Sequence, residues 1–198
     1  MVTIKRPTLR DAEEFLRAVH RNRPLHKGLV SPPGDLEAYR RYINTLRQRN
    51  RVGFVVIHDG TKELAGVINV NEIVLGAFRS AYLGYYAFAP YAGRGLMREG
   101  MQKVIDHCFR ELRLHRLEAN IQPENTRSIC LVQGLGFQKE GYSPRYLKVC
   151  GRWRDHERWA IRSSASSISS PRKPPGFWIQ GQELGGTQPR LLKWDMGS

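Results

Sequence analysis

The chain has 198 residues, 40% hydrophobic and 25% charged, and a formal net charge of +14 from 32 Lys and Arg against 18 Asp and Glu. That length suits one domain with a full core; no apolar run of about 18 residues is present to span a membrane, and the start, Met-Val-Thr-Ile-Lys-Arg-Pro, lacks the apolar centre of a secretory signal. So positive a field attracts polyanions such as nucleic acid, a ribosomal surface or a multiply phosphorylated cofactor, but the arginines are spread along the chain and mark no patch.

In chain order, Leu9, Ala12, Phe15, Leu16 and Val19 repeat with helical spacing over residues 8–21, and Thr8 can cap that helix. Residues 22–35 are turn-rich, with Pro24, Pro32, Pro33 and Gly34. A second helix then places Leu36, Tyr39, Ile43 and Leu46 on one face. Residues 52–58 read as a strand, Asp59-Gly60-Thr61-Lys62 as a hairpin turn, and residues 63–74 and 81–88 as two more strands. Met97, Met101, Val104, Ile105, Cys108, Phe109 and Leu112 form the stripe of an amphipathic helix over residues 95–112. A short strand (117–121), a helix (125–135) ending at Gly136, and two closing strands (137–149 and 153–161) follow. The order α-α-β-β-β-α-β-α-β-β predicts a single α/β (α+β) domain over residues 1–162, a mixed sheet with helices on its faces. Residues 163–198 turn to Ser, Pro, Gly and Gln and are expected to be a disordered tail.

Cys108, Cys130 and Cys150 are an odd, scattered set without a C-x-x-C pair. They point away from a disulfide framework or a metal site and toward a reducing cytoplasm. Cys108 and Cys130 fall on apolar helical faces and are expected to be small core residues.

Gly93 and Gly95 stand where a strand hands over to a helix, a junction whose free backbone N–H groups and helix dipole favour phosphate. The loop lacks the Lys-Ser/Thr of a P-loop, and Arg98 stands where a dinucleotide fingerprint has its third glycine. A pyrophosphate held by backbone amides without a metal remains.

Gly-Arg-Gly-Leu-Met-Arg-Glu (93–99), His-Arg-Leu-Glu-Ala-Asn (115–120), Asn-Thr-Arg-Ser (125–128), Gly-Leu-Gly-Phe-Gln-Lys-Glu-Gly-Tyr (134–142) and Gly-Arg-Trp-Arg-Asp-His (151–156) occur in that order. The set resembles the GCN5-related N-acetyltransferase (GNAT) family, and within it the bacterial Rim-type enzymes (RimJ/RimL-like) that acetylate the N-termini of ribosomal proteins. The resemblance spans residues 3–162 and implies the GNAT fold, a mixed and mostly antiparallel sheet, with acetyl-CoA as donor. It maps pantetheine pairing onto Tyr86, Ala87 and Phe88, pyrophosphate binding onto Gly93, Arg94, Gly95, Leu96 and Met97, and a further pantetheine contact onto Asn125. One departure is Pro90, where the family often has Gln or Arg. For Arg94 a solvated loop cation is the alternative to a charge-assisted phosphate contact.

Acetyl transfer by direct attack needs a base for the ammonium, a donor at the oxyanion and an acid for the leaving thiolate. The resemblance puts the base at Glu118, with Glu72 as rival and Glu140 third; a surface pairing of Glu118 with Arg116 is the alternative. The acid is Ser128, Tyr142 or Tyr146, against a capping serine and pocket-lining aromatics, and a backbone N–H near Ala87 is the oxyanion donor. Asp155-His156 reads as structural. Tyr82, Tyr85, Tyr86 and Tyr91 read as packing or pocket residues ahead of an RNA-stacking surface. The expected acceptor is the N-terminal α-amino group of a ribosomal protein, framed by residues 24–34 and the last hairpin, with the basic surface aiding ribosome or RNA association. Alternatives are a small amine (aminoglycoside, polyamine or amino acid), which the net charge disfavours when cationic, and a non-catalytic acyl-CoA or RNA-binding module.

Overall fold

The computed structural model describes residues 1–163. The tail expectation falls, from residue 164 on, outside the described residues. The strands are β1 (Val2–Lys5), β2 (Val52–His58), β3 (Leu64–Val74), β4 (Ser80–Ala87), β5 (Arg116–Ile121), β6 (Gln138–Val149) and β7 (Arg152–Arg162). The helices are α1 (Ala12–Arg21), α2 (Arg23–His26), α3 (Leu36–Thr45), α4 (Leu96–Arg110) and α5 (Thr126–Gly134), with a 3-10 turn at Leu9–Asp11 before α1. The expected elements are present to within a residue or two at most ends. β1 and α2 are additions to the predicted order: the first has four residues and the second is one turn, each too short to establish a hydrophobic period.

One seven-stranded sheet runs β1-β2-β3-β4-β5-β7-β6. All neighbours are antiparallel except β4 and β5. A parallel pair needs a crossover, and α4 supplies it.

Side chains alternate across the sheet. On one face Phe54, Ile68, Leu83, Leu117, Ala119 and Trp159 pack with Met101, Val104, Ile105 and Cys108 of α4 and Val132 of α5. On the other, Val55, Val67, Tyr86 and Phe88 pack with Phe15, Val19, Tyr39 and Ile43 of α1 and α3. Each fully buried Val, Leu, Ile, Phe or Met side chain among them stabilises by about 1.5–3 kcal/mol. α4 approaches the sheet closely because Gly100 faces Val56, where a Cβ would lie 2.8 Å from Cγ2.

α5 ends in a Schellman motif. Phe137 N–H donates to the Val132 carbonyl and Gly136 N–H to that of Gln133, with Gly136 at φ +88°, a conformation glycine adopts without strain. Cys108 is buried, as expected, and burial pushes its thiol up to about 12. Cys130 is exposed, which corrects its reading as a core residue. α5 turns Ile129, Leu131 and Val132 toward the core, and at about 100° per residue Cys130 falls on the opposite side of the helix.

Candidate active site

β4 and β5 pair over three positions, Ser80 with Arg116, Ala81 with Leu117 and Tyr82 with Glu118. Beyond Glu118 they part. β4 continues along β3 to Ala87 while β5 continues along β7 to Ile121. The sheet therefore has a wedge-shaped slit, closed at Tyr82–Glu118 and open toward Ala87 and Gln122. Phe88 N–H donates to the Ala65 carbonyl at 2.9 Å. Backbone groups of successive strand residues point to opposite edges, so those of Ala87 turn toward the slit.

At the open end, Gly93, Arg94 and Gly95 are exposed and Gly95 is the N-cap of α4. Both glycines have φ +79°, and a Cβ on either would meet only open space. A glycine cap has no side-chain acceptor, so the first N–H groups of α4 have no intrahelical or capping partner. Such a loop suits an anion held by amides and a helix dipole. Met97 turns inward, buried against Gly66, and Leu96 is half-buried. Tyr91, buried just before the loop, is hydrogen-bonded to Thr61 and Glu63 of the β2–β3 turn and stacks on His58 at 5.1 Å.

On the α4/α5 face, Asn125 caps α5 by accepting the Ser128 N–H at 3.2 Å. The Ser128 hydroxyl lies 2.5 Å from that of Tyr85, joining α5 to β4 across the slit. Burial pushes the Tyr85 hydroxyl up to about 12, against the opposing effect of the Ser128 hydrogen bond.

Glu118 is on the opposite face. Its Oε1 is 2.8 Å from Arg116 Nη1, an ion pair without hydrogen-bond alignment. Arg116 also pairs with Glu140, which Arg162 contacts at 3.1 Å. Beside Glu118, Tyr82 is hydrogen-bonded to Tyr146, and burial followed by the Glu118 charge raises the Tyr82 hydroxyl above its ordinary range. Asn120 and Arg158, paired in register on this face, each hold a buried polar atom without a partner.

Glu72 is not part of this group. It sits at a β3 irregularity with φ +48°, half-exposed and bonded to Arg51 at 2.6 Å and Asn50 at 3.1 Å. Tyr142 is 51% exposed. It pairs with Glu157, on the face opposite Glu118, and its hydroxyl donates to Asp155 at 2.5 Å. His156 is buried and its Nδ1 is 3.0 Å from the Arg154 carbonyl, so its partner is backbone and not the adjacent carboxylate.

The structure adds residues that local sequence patterns do not reveal. His26 Nε2 donates to the Ala87 carbonyl at 2.8 Å. Asn22 Oδ1 accepts the Ala89 N–H at 2.6 Å. Gln122 Nε2 donates to the Gly28 carbonyl at 3.1 Å, and Ser31 Oγ lies 3.3 Å from Cys150 Sγ in the β6–β7 turn. Residues 26–31 thus cross the mouth of the slit from β4 to β5 and the last hairpin. Among the described residues no group of three His, Cys, Asp or Glu is arranged to hold a metal, and no helix is long and apolar enough to cross a membrane.

A family profile described as "Acetyltransferase (GNAT) domain" matches residues 2–138. The [Ribosomal protein uS5]-alanine N-acetyltransferase of Escherichia coli is 38% identical over 130 residues, 65% of this chain and 67% of that one. The solved structure of Mycobacterium smegmatis RimJ in complex with CoA-disulfide superposes with a TM-score of 0.75 at 30% identity, over 85% of this chain and 84% of that one. The spermidine N(1)-acetyltransferase of Vibrio cholerae is 27% identical over 128 residues, 65% of this chain and 71% of that one.

Proposed function

The chain belongs to the GNAT acetyltransferase family, and we propose that the amine it acetylates from acetyl-CoA is the N-terminal α-amino group of a ribosomal protein, met in the cytoplasm. The likeness to the uS5-alanine enzyme supports this reading. The observation that carries it is the roofed mouth on the Glu118 face. Residues 26–31 arch over it, and the Glu118 carboxylate is already paired with Arg116. A peptide end brings one amine to such an opening. A polyamine, the second reading and the one that the spermidine relative favours, brings several positive charges against Arg116 and Arg158.

In this reading the donor occupies the slit. The backbone of Gly93, Arg94, Gly95, Leu96 and Met97 holds the pyrophosphate, and Tyr86, Ala87, Phe88 and Asn125 hold the pantetheine. Glu118, facing the acceptor, takes a proton from the incoming ammonium in preference to Glu72, whose carboxylate is paired with Arg51. The freed amine attacks the thioester carbonyl, the C–S bond breaks, and the thiolate takes a proton on the other face. Ser128, backed by the Tyr85 hydroxyl, supplies it in preference to Tyr142, whose proton is already committed to Asp155. Base and acid therefore act from opposite faces of the slit.

The test follows thiol release from acetyl-CoA with a panel of ribosomal-protein N-terminal peptides, spermidine and an aminoglycoside. Peptides beginning with a small residue should exceed the amines in kcat/KM by at least about tenfold, the discrimination of one well-placed interaction. Turnover of spermidine or the aminoglycoside with none of the peptides would overturn the acceptor assignment.

A further inference from the structure

His26 is 5% exposed, and only one of its ring nitrogens has a partner. Nε2 faces a carbonyl, which can only accept, so Nε2 carries the proton and Nδ1 presents a lone pair. Burial holds the imidazole below its ordinary pKa and so favours the neutral ring, against the opposing effect of the Ala87 bond. A buried acceptor left unpaired costs roughly 1–3 kcal/mol. The ring beside it repeats the anomaly. Tyr86 stands edge-on to His26 at 5.2 Å, and its hydroxyl is also buried without a partner. His26 lies where the slit opens, since the chain from His26 to Gly28 is tied to the end of β4 on one side and to Gln122, just past β5, on the other. Asn22 fixes the same strand end through the Ala89 N–H and is itself tied to Ala18 at 2.7 Å. The imidazole is therefore held rigidly, and its free lone pair is not the result of a loose side chain.

We propose that His26 Nδ1 receives the amino group of the acceptor by accepting one of its N–H hydrogens. The Nε2–Ala87 bond then sets the amine against the strand that the donor lies along. The proposal rests on the transferase reading above, with the acceptor entering from the roofed face, but not on the acceptor being a peptide. An amine N–H fits because the open group on His26 is a lone pair, which can only accept. A carboxylate or phosphate would find no donor at Nδ1.

Two variants separate this role from a structural one. His26→Gln keeps an N–H at the Nε2 position for the Ala87 carbonyl and removes the acceptor at Nδ1. His26→Phe removes both. With His26→Gln, KM for the amine should rise about tenfold, the effect of one lost hydrogen bond, while KM for acetyl-CoA stays within about twofold and Tm is unchanged. With His26→Phe, KM for acetyl-CoA should rise as well. Acceptor KM unchanged in His26→Gln would overturn the proposal, as would a parallel rise for both substrates, which would make His26 only a support for β4. A readout independent of turnover is the 15N signal of Nδ1 in the full chain saturated with desulfo-CoA. It should move on addition of a peptide with a free N-terminal alanine and stay put with the N-acetylated twin. Equal responses, or none with any amine, would mean that the site holds only water. A response to spermidine but to no peptide would keep the role of His26 and overturn the ribosomal-protein reading instead.

Discussion

On the α4 side of the slit, the surface proposed for the donor is backbone: Gly93, Arg94 and Gly95 are exposed, the helix cap is a glycine, and the groups on offer are N–H donors within one short stretch of chain. On the roofed side the surface is side chains, and they come from far apart. His26 reaches Ala87, Asn22 reaches Ala89, Gln122 reaches Gly28, and Glu118 is held by Arg116 on its own strand. The difference predicts how each side responds to substitution. A backbone site is sensitive to conformation and tolerant of side-chain identity, whereas a side-chain site is the reverse. In the proposed reading it also separates two kinds of specificity, for a donor fixed by a loop and for an acceptor fixed by a constellation that can be rebuilt residue by residue.

The largest effect expected is on the side-chain half. Glu118→Gln preserves shape, and Arg116 retains Glu140 as a partner, so the fold should hold, checked as an unchanged Tm. General-base catalysis contributes about 10²–10⁴-fold, and kcat should fall within that range while acetyl-CoA affinity is kept. A loss under about fivefold would remove Glu118 from the proton path. On the backbone half, Gly95→Val should weaken acetyl-CoA binding by roughly ten- to a hundredfold, read by calorimetry. A β-branched residue is strained at φ +79° by about 1–2 kcal/mol, and relaxing that strain turns the first N–H groups of α4 away from the ligand. Its Cβ would meet open space, so the effect is conformational and not steric. Undiminished binding would show that the loop does not hold the donor.

The same contrast explains which features were legible in the sequence. The glycine loop, the α4 stripe and the Gly136 stop are local patterns, each written within a few turns of chain, and all three are present as read. The slit is not local. It exists because β4 and β5 pair for three positions and then diverge, a matter of register that no stretch of sequence states. The roof depends on contacts between residues 61, 67, 94 and 119 positions apart. His26 and Asn22 are polar residues in a proline-rich turn, and their burial follows only from where that turn is laid. Tyr85 read as one of several strand tyrosines, and Ser128 gave it a partner 43 residues on. The resemblance ranks Glu118 ahead of Glu72, but nothing local separates the two as carboxylates on strands. The β3 irregularity that turns Glu72 toward Arg51 separates them.

Arg94 gives the finest test of the comparison and the smallest expected effect. It is the one cation within the glycine loop, and if the donor side were built like the acceptor side, its guanidinium would carry a large part of phosphate affinity. The structure gives it an exposed position, with a backbone turn to Tyr91 at 3.4 Å. An exposed cation meets phosphate through water and salt, where such pairs are worth about 0–1 kcal/mol. Arg94→Ala should therefore raise the Kd for CoA by no more than about threefold to fivefold at physiological ionic strength. That increment should shrink further in high salt, whereas the Gly95→Val defect, being conformational, should not. A salt-insensitive loss of tenfold or more in Arg94→Ala would make the guanidinium a built part of the phosphate site and erase the distinction between the two sides.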